Sequence, residues 1–197
     1  MIVLMSAFLL LSAFSCGGGN KANSTSEQSE ETAVNVPQFD ADSAYLYVKN
    51  QVDFGPRVPN TKEHVACGNY LAGQLEAFGA QVTNQYADLI AYDGTLLKAR
   101  NIIGSYKPES KKRIALFAHW DTRPWADNDP DEKNHNTPIL GANDGASGVG
   151  ALLEIARLVN QQQPELGIDI ILLDAEDYGA PQFYTPYTSI CFTTSLR

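Results

Sequence analysis

The chain of 197 residues is 44% hydrophobic and 19% charged, an ordinary globular balance with length for one domain or a large part of one. Its 14 basic residues against 23 acidic ones give a formal net charge of −9 at pH 7, which argues against a nucleic-acid surface, because phosphate binding needs clustered Lys and Arg. The same acidity is equally a plain solubility feature.

Residues 2–14 form an apolar run of signal-peptide core length, too short to span a bilayer as a helix. Ala13-Phe14-Ser15-Cys16 follows and resembles a bacterial lipoprotein cleavage site, at which Cys16 would be acylated. No basic segment precedes the run, and an ordinary signal peptide with an incidental cysteine is the plainer alternative. Residues 17–38 are rich in Gly, Ser, Asn, Thr and Glu and bury too little to offset chain entropy, so a disordered tether is predicted. The chain is thus expected in the cell envelope, facing the periplasm, with the lipid anchor its sole membrane contact. Two further cysteines make no disulfide framework, and Cys67 sits on a helix's apolar stripe as a buried thiol.

The folded part begins near Phe39. Asp42 and Ser43 cap a predicted helix that runs through Val52, with Tyr45, Val48 and Val52 on one face. Phe54-Gly55-Pro56-Arg57-Val58-Pro59 breaks it, and Thr61 starts a second helix with Cys67, Leu71, Leu75 and Phe78 aligned and Gly79 as its stop. Residues 82–92 and 96–106 read as strands joined at Asp93-Gly94. The continuous apolar run 113–118 reads as a strand buried on both faces. A polar loop over 122–138 leads to a helix over 146–160, with Val149, Leu152, Leu153, Ala156 and Val159 inward, and then to a second buried strand, 168–173. Strand, helix and strand in that order predict a right-handed crossover in an α/β fold: a mixed, largely parallel twisted sheet with helices on both faces.

Chemistry gathers at the carboxyl ends of the buried strands. His119 and Asp121 follow the first, Asp144 precedes the helix, and Asp174, Glu176 and Asp177 close the second. Open α/β sheets hold ligands in the crevice beyond those ends. Clustered carboxylates repel unless a cation joins them, and carboxylates with a His suit zinc. Each residue also has a duller reading: Asp144 as a helix cap, Asp174 and Asp177 as solvated loop acids, His119 as a core histidine, Asp121 as a turn residue.

The stretch from Asp42 to Gly179 resembles the bacterial glutaminyl cyclases, relatives of the zinc aminopeptidases, through Phe54–Pro59, Ala99-Arg100-Asn101-Ile102-Ile103, Ala118-His119-Trp120-Asp121-Thr122-Arg123, Gly141-Ala142-Asn143-Asp144-Gly145-Ala146-Ser147 and Leu173-Asp174-Ala175-Glu176-Asp177. The resemblance implies Asp144 and Asp177 as zinc ligands and Glu176 as the catalytic proton-transfer residue. His119 and Asp121 then either stand behind the ligands or hold a second metal. It implies one Zn²⁺ and peptide substrates with an N-terminal Gln in a cyclase, or two ions in the alternative, a zinc metallo-aminopeptidase. Asp at position 177 and the Trp120–Trp125 loop resemble the cyclase branch more, although both indoles also read as loop packing. A non-catalytic, lipid-tethered binding domain is the third reading.

The family's distal His is missing, since the histidines are His64, His119 and His135 and none follows Glu176. Residues 39–179 therefore read as the N-terminal part of a zinc aminopeptidase-like domain. Residues 180–197 read as an aberrant tail, out of frame, or alternatively as a short relative's own ending. A site of two carboxylates without that His is expected to bind zinc weakly and turn over little.

Overall fold

The computed structural model describes residues 35–182; Cys16, most of the tether and the tail beyond Gln182 lie outside the described residues. Three helices, α1 (Ala41–Val52), α2 (Lys62–Ala77) and α3 (Ser147–Gln161), accompany four strands, β1 (Gln81–Ile90), β2 (Leu96–Tyr106), β3 (Arg113–His119) and β4 (Gly167–Leu173). None of these helices is long and apolar enough to cross a membrane.

The cap of α1 is Asp40, not Asp42 or Ser43: its carboxylate accepts from the Asp42 and Ser43 N–H groups at 3.0 and 3.1 Å. All three side chains are competent caps, and the one ahead of the first helical residue wins because only its oxygen reaches the free amides of that turn. The buried face of α1 also differs from expectation. Tyr45 is 72% exposed, while Ala44, Tyr47, Val48 and Gln51 turn inward, and α1 packs on α3. The second helix starts at the predicted cap, where Thr61 Oγ1 accepts from the His64 N–H at 3.2 Å.

The sheet runs β1-β2-β4-β3 and is mixed. Antiparallel ladders join β1 to β2 and β2 to β4, and the one parallel ladder among the described residues joins β3 to β4 through α3. Its register sets His119 beside Leu173, so the residues after both strands leave the sheet at the same rim. Ile102 opposite Leu172 brings the middle of β2 to that rim as well.

One core cluster holds the sheet's inner face against two helices: Cys67, Leu71 and Leu75 of α2, Val149, Leu152, Leu153, Ala156 and Val159 of α3, and Ile102, Ile168, Ile170 and Leu172 beneath them. Each fully buried aliphatic side chain there contributes about 1.5–3 kcal/mol. Burial pushes the Cys67 thiol up to about 12, so it stays a neutral packing group. The helices of the described residues lie on one face of the sheet. For the same reason β3 is not doubly buried: it stands at the sheet edge with Ile114 and Phe117 46% and 53% exposed. A continuous apolar run signals a central strand only when both faces find cover.

Candidate active site

Two turns and one strand end build the site. His119 is the last residue of β3, and Asp121 lies two positions on, fully buried. Asp144 sits in an irregular turn, Ala142–Ala146, ahead of α3, with an extended backbone (φ −88°, ψ 113°) and no capping role: α3 has no side-chain cap bond. Gly145 follows at φ +87°, where a Cβ would stand 2.9 Å from the Asp121 carbonyl oxygen and 3.2 Å from the His119 ring. Only glycine combines that conformation with that approach.

The acidic turn after β4 is held from behind by Asp121. Its two carboxylate oxygens accept from the Glu176 N–H at 3.2 Å and the Asp177 N–H at 3.0 Å. Asp121 is thus the socket of this turn, and the bland reading of it as a turn residue describes the wrong turn.

His119 faces four acids. Its Nε2 lies 2.9 Å from Asp144 Oδ1, and its Nδ1 lies 3.4 Å from Asp121 Oδ1 and 3.7 Å from Glu176 Oε2. Burial alone would lower the basicity of this imidazole, but Asp121, Glu176 and Asp144 override it and raise the pKa to about 9. Nε2 is within hydrogen-bond distance of Asp144 while Nδ1 is buried without a hydrogen-bond partner, and the surrounding carboxylates favour the charged form of the ring. Asp177 is pushed the other way, up to about 6, by burial first and then by the charges of Asp121 and Asp144, against the opposing pull of His119.

His119, Asp144 and Asp177 each offer one ligand atom, all within 4.8 Å of one another. Asp177 Oδ2 is buried without a hydrogen-bond partner. A buried, unpaired carboxylate oxygen is costly unless a cation meets it, and one imidazole with two carboxylates is a donor set that fits zinc. The predicted ligands Asp144 and Asp177 therefore lie in one place, with His119 among them and Glu176 beside them, its side chain 61% exposed to the crevice.

Several residues of the site were not legible as such. Arg57, fully buried, donates to the carbonyl oxygens of Trp120 (3.0 Å), Leu140 (2.9 Å) and Gly141 (2.8 Å), tying both loops of the site to the Phe54–Pro59 segment. His64 and Asp174 form a buried pair beneath the Glu176 turn. Trp120 is fully buried and stacks on His64, and Trp125 packs edge-on to Tyr92 and Tyr178 at 6.0 and 5.5 Å, so both indoles do pack the loop. The signal for Arg57 was its place inside the Phe54–Pro59 segment; for His64 there was none.

Arg123 fastens the 122–138 loop to the segment after the site. It pairs with Asp127 at 2.6 Å and donates to the Asp177 and Ala180 carbonyl oxygens, while Asp127 accepts from the Gln182 N–H. Arg123 holds the Asp127 carboxyl well below its usual 3.8, at about 2. A carboxyl with a lowered folded-state pKa stabilises above its ordinary value and loses that contribution as pH falls through the folded one. Roughly 1–2 kcal/mol of stability should therefore disappear between about pH 4 and pH 2 and be absent at every pH in Asp127→Asn. Urea midpoints measured across that range check it; identical acid profiles for the two proteins would refute it.

Residues 101–189 match the model of peptidase family M28. Three solved structures resemble the chain. The glutaminyl cyclase of Bacteroides thetaiotaomicron is 94% identical with a TM-score of 0.77, over 78% of this chain and 52% of its own. A Zn-dependent exopeptidase of Parabacteroides distasonis is 66% identical (TM-score 0.77; 78% and 53%), and the glutaminyl cyclase of Tannerella forsythia 58% identical (TM-score 0.76; 77% and 52%). The chain spans about half the length of each. A mixed sheet over α2 and α3, the acidic turn after β4, the family match and these likenesses agree: the chain resembles peptidase family M28 and, within it, the bacterial glutaminyl cyclases.

Proposed function

We propose that the described residues form the metal-ligating and proton-transfer part of a zinc-dependent glutaminyl-peptide cyclotransferase, which turns the N-terminal glutamine of peptides into pyroglutamate and releases ammonia. The observation that carries this is the gathering of His119, Asp144 and Asp177, from three separate segments, within 4.8 Å and next to Glu176. Asp144 and Asp177 would hold one zinc ion, with His119 adjoining. Zinc bound there supplies Lewis-acid polarisation of the γ-carboxamide.

The chain's own groups do the rest. Glu176 takes a proton from the α-amine as the nitrogen attacks the carboxamide carbonyl carbon (Cδ), and returns it to the departing ammonia as the bond from that carbon to the amide nitrogen breaks. Asp121, bonded to the Glu176 and Asp177 N–H groups, keeps both carboxylates aimed into the crevice. The second reading, a metallo-aminopeptidase with two ions and Glu176 as the base for a water, is favoured by His119 lying among the ligand atoms rather than behind them.

Ammonia release from a Gln-initial peptide, with and without added zinc, tests the proposal. Turnover should require zinc and fall about a hundredfold or more in Glu176→Gln. Free N-terminal amino acids as product would assign the peptidase instead. A zinc titration that left the thermal midpoint unmoved would overturn both readings in favour of a non-catalytic tethered domain. We also propose that Cys16 anchors the chain in the cell envelope, supported by the Ala13–Cys16 sequence; Cys16→Ala should release it from membranes on fractionation.

A further inference from the structure

Ala175 is one of three non-glycine residues among the described ones with a positive φ, at +61°. An L side chain there is strained, because Cβ crowds the following carbonyl. The residue stands directly between β4 and the two carboxylates of the site, so its conformation decides where Glu176 and Asp177 point. Downstream, Asp121 holds the turn through two N–H groups. Upstream, Asp174 does. One of its oxygens accepts from the Ala175 N–H at 2.7 Å, the other from the Arg100 N–H at 2.6 Å, and the Asp174 N–H donates to Asn101 Oδ1 at 3.0 Å.

What fixes Asp174 is His64. Its Nε2 lies 2.9 Å from both Asp174 oxygens, and a carboxylate only accepts, so Nε2 carries the proton. The ring is buried, with its backbone capped by Thr61 and its face stacked on Trp120 at 4.3 Å and 17°. Trp120 is itself tied by its N–H to the Leu173 carbonyl and by Nε1 to the Arg100 carbonyl. The first turn of α2 thus reaches beneath the sheet rim to grip the peptide ahead of the strained residue.

We propose that His64 is a positioning residue, one that touches no ligand atom and acts through Asp174 to hold the left-handed Ala175 turn, and with it Glu176 and Asp177, in the arrangement that binds metal. The proposal rests on the metal-site reading for its zinc arm only. It differs from a general packing role in one consequence: the loss on removing His64 depends on the residue at position 175. Glycine takes a positive φ without penalty, so Ala175→Gly lessens what the pair has to hold.

The experiment is a double-mutant cycle on the full chain, His64→Leu with and without Ala175→Gly, read twice. Zinc affinity, by competition with a chromophoric chelator, should fall about tenfold in His64→Leu, as for residues one step behind metal ligands, and only about two- to threefold in the Ala175→Gly background. Urea unfolding of the metal-free chain should show the same coupling, about fivefold in the folding equilibrium constant, the size of the alanine-to-glycine preference at a left-handed position. His64→Gln, whose amide N–H can replace the lost donor, should keep most of the zinc affinity. Equal losses in the two backgrounds, or no recovery with Gln, would overturn the proposal. If His64→Leu fails to fold, folding of the double variant is the rescue expected, and failure of both overturns it. A wild-type chain that binds no zinc would sink the metal-site reading while the urea cycle still decided this one.

Discussion

Asp177→Asn should lower zinc affinity by roughly a thousandfold and, in the same protein, make the metal-free chain more stable. The first effect exceeds the ten- to hundredfold loss typical of groups behind a ligand, because a charge and a ligating oxygen go together. The second follows from linkage. The folded-state pKa of Asp177 is raised to about 6, by burial and by the neighbouring Asp121 and Asp144 charges. A carboxyl raised in the fold opposes folding once it ionises, so its penalty is absent below about pH 4, grows as pH rises to about 6 and stays constant above. At pH 8 the Asn variant should therefore gain roughly 1–3 kcal/mol in urea unfolding without zinc, and at pH 3.5 it should gain almost nothing. Chelator competition and urea titrations at the two pH values measure both. A variant that loses zinc and stability together would mean that Asp177 is a structural acid, not a strained ligand.

That opposition is built into the whole rim. Asp121, Asp144, Glu176 and Asp177 stand around a single imidazole, and the Asp177 oxygen without a partner is the clearest sign that the arrangement serves something other than the fold. A protein selected for stability alone would not gather them.

How much of this the amino-acid order discloses depends on the reach of each interaction. The inward face of α3 was legible because Val149, Leu152, Leu153, Ala156 and Val159 repeat with the helix period, and all five are buried. The hairpin at Asp93-Gly94 and the cap at Thr61 were legible for the same local reason. Asp144, Glu176 and Asp177 could be placed at one rim once two strands and a helix were recognised, since a parallel register brings strand ends together. Cover was illegible: nothing in residues 113–118 says that Phe117 faces outward, and nothing in Tyr45 says that α3 lies on another side of α1. Long-range polar partners were illegible too. His64 meets Asp174 across 110 positions and Arg57 meets Gly141 across 84, and neither pairing leaves a period or a turn signature.

Arg57→Ala should be the most damaging single change in the described fold, at about 3–5 kcal/mol in urea unfolding. The guanidinium is fully buried, burial depresses its pKa, and no carboxylate among the described residues pairs with it; the charge is balanced at longer range by Asp121 and Asp177. Its donors instead meet five backbone oxygens, on Gln51 and Gly55 at 3.4 Å besides Trp120, Leu140 and Gly141. Gln51 and Gly141 keep backbone N–H partners without it, but every one of the five carbonyls loses a charged donor in a buried place, at a desolvation cost. It also frees the Leu140–Gly141 stretch of backbone, where Gly141, at φ +55°, brings its peptide so close that a Cβ would stand 2.7 Å from the Asp144 carbonyl oxygen. Zinc affinity should therefore fall along with stability, unlike in Asp177→Asn, because the turn that carries Asp144 loses its anchor. Arg57→Lys should recover less than half of the stability, since an ammonium has three donors on a point and cannot span carbonyls that a planar fork reaches on three segments. If Lys restored the wild-type urea midpoint, charge rather than geometry would be what the site draws from position 57, and the anchoring role assigned to the fork would have to be given up.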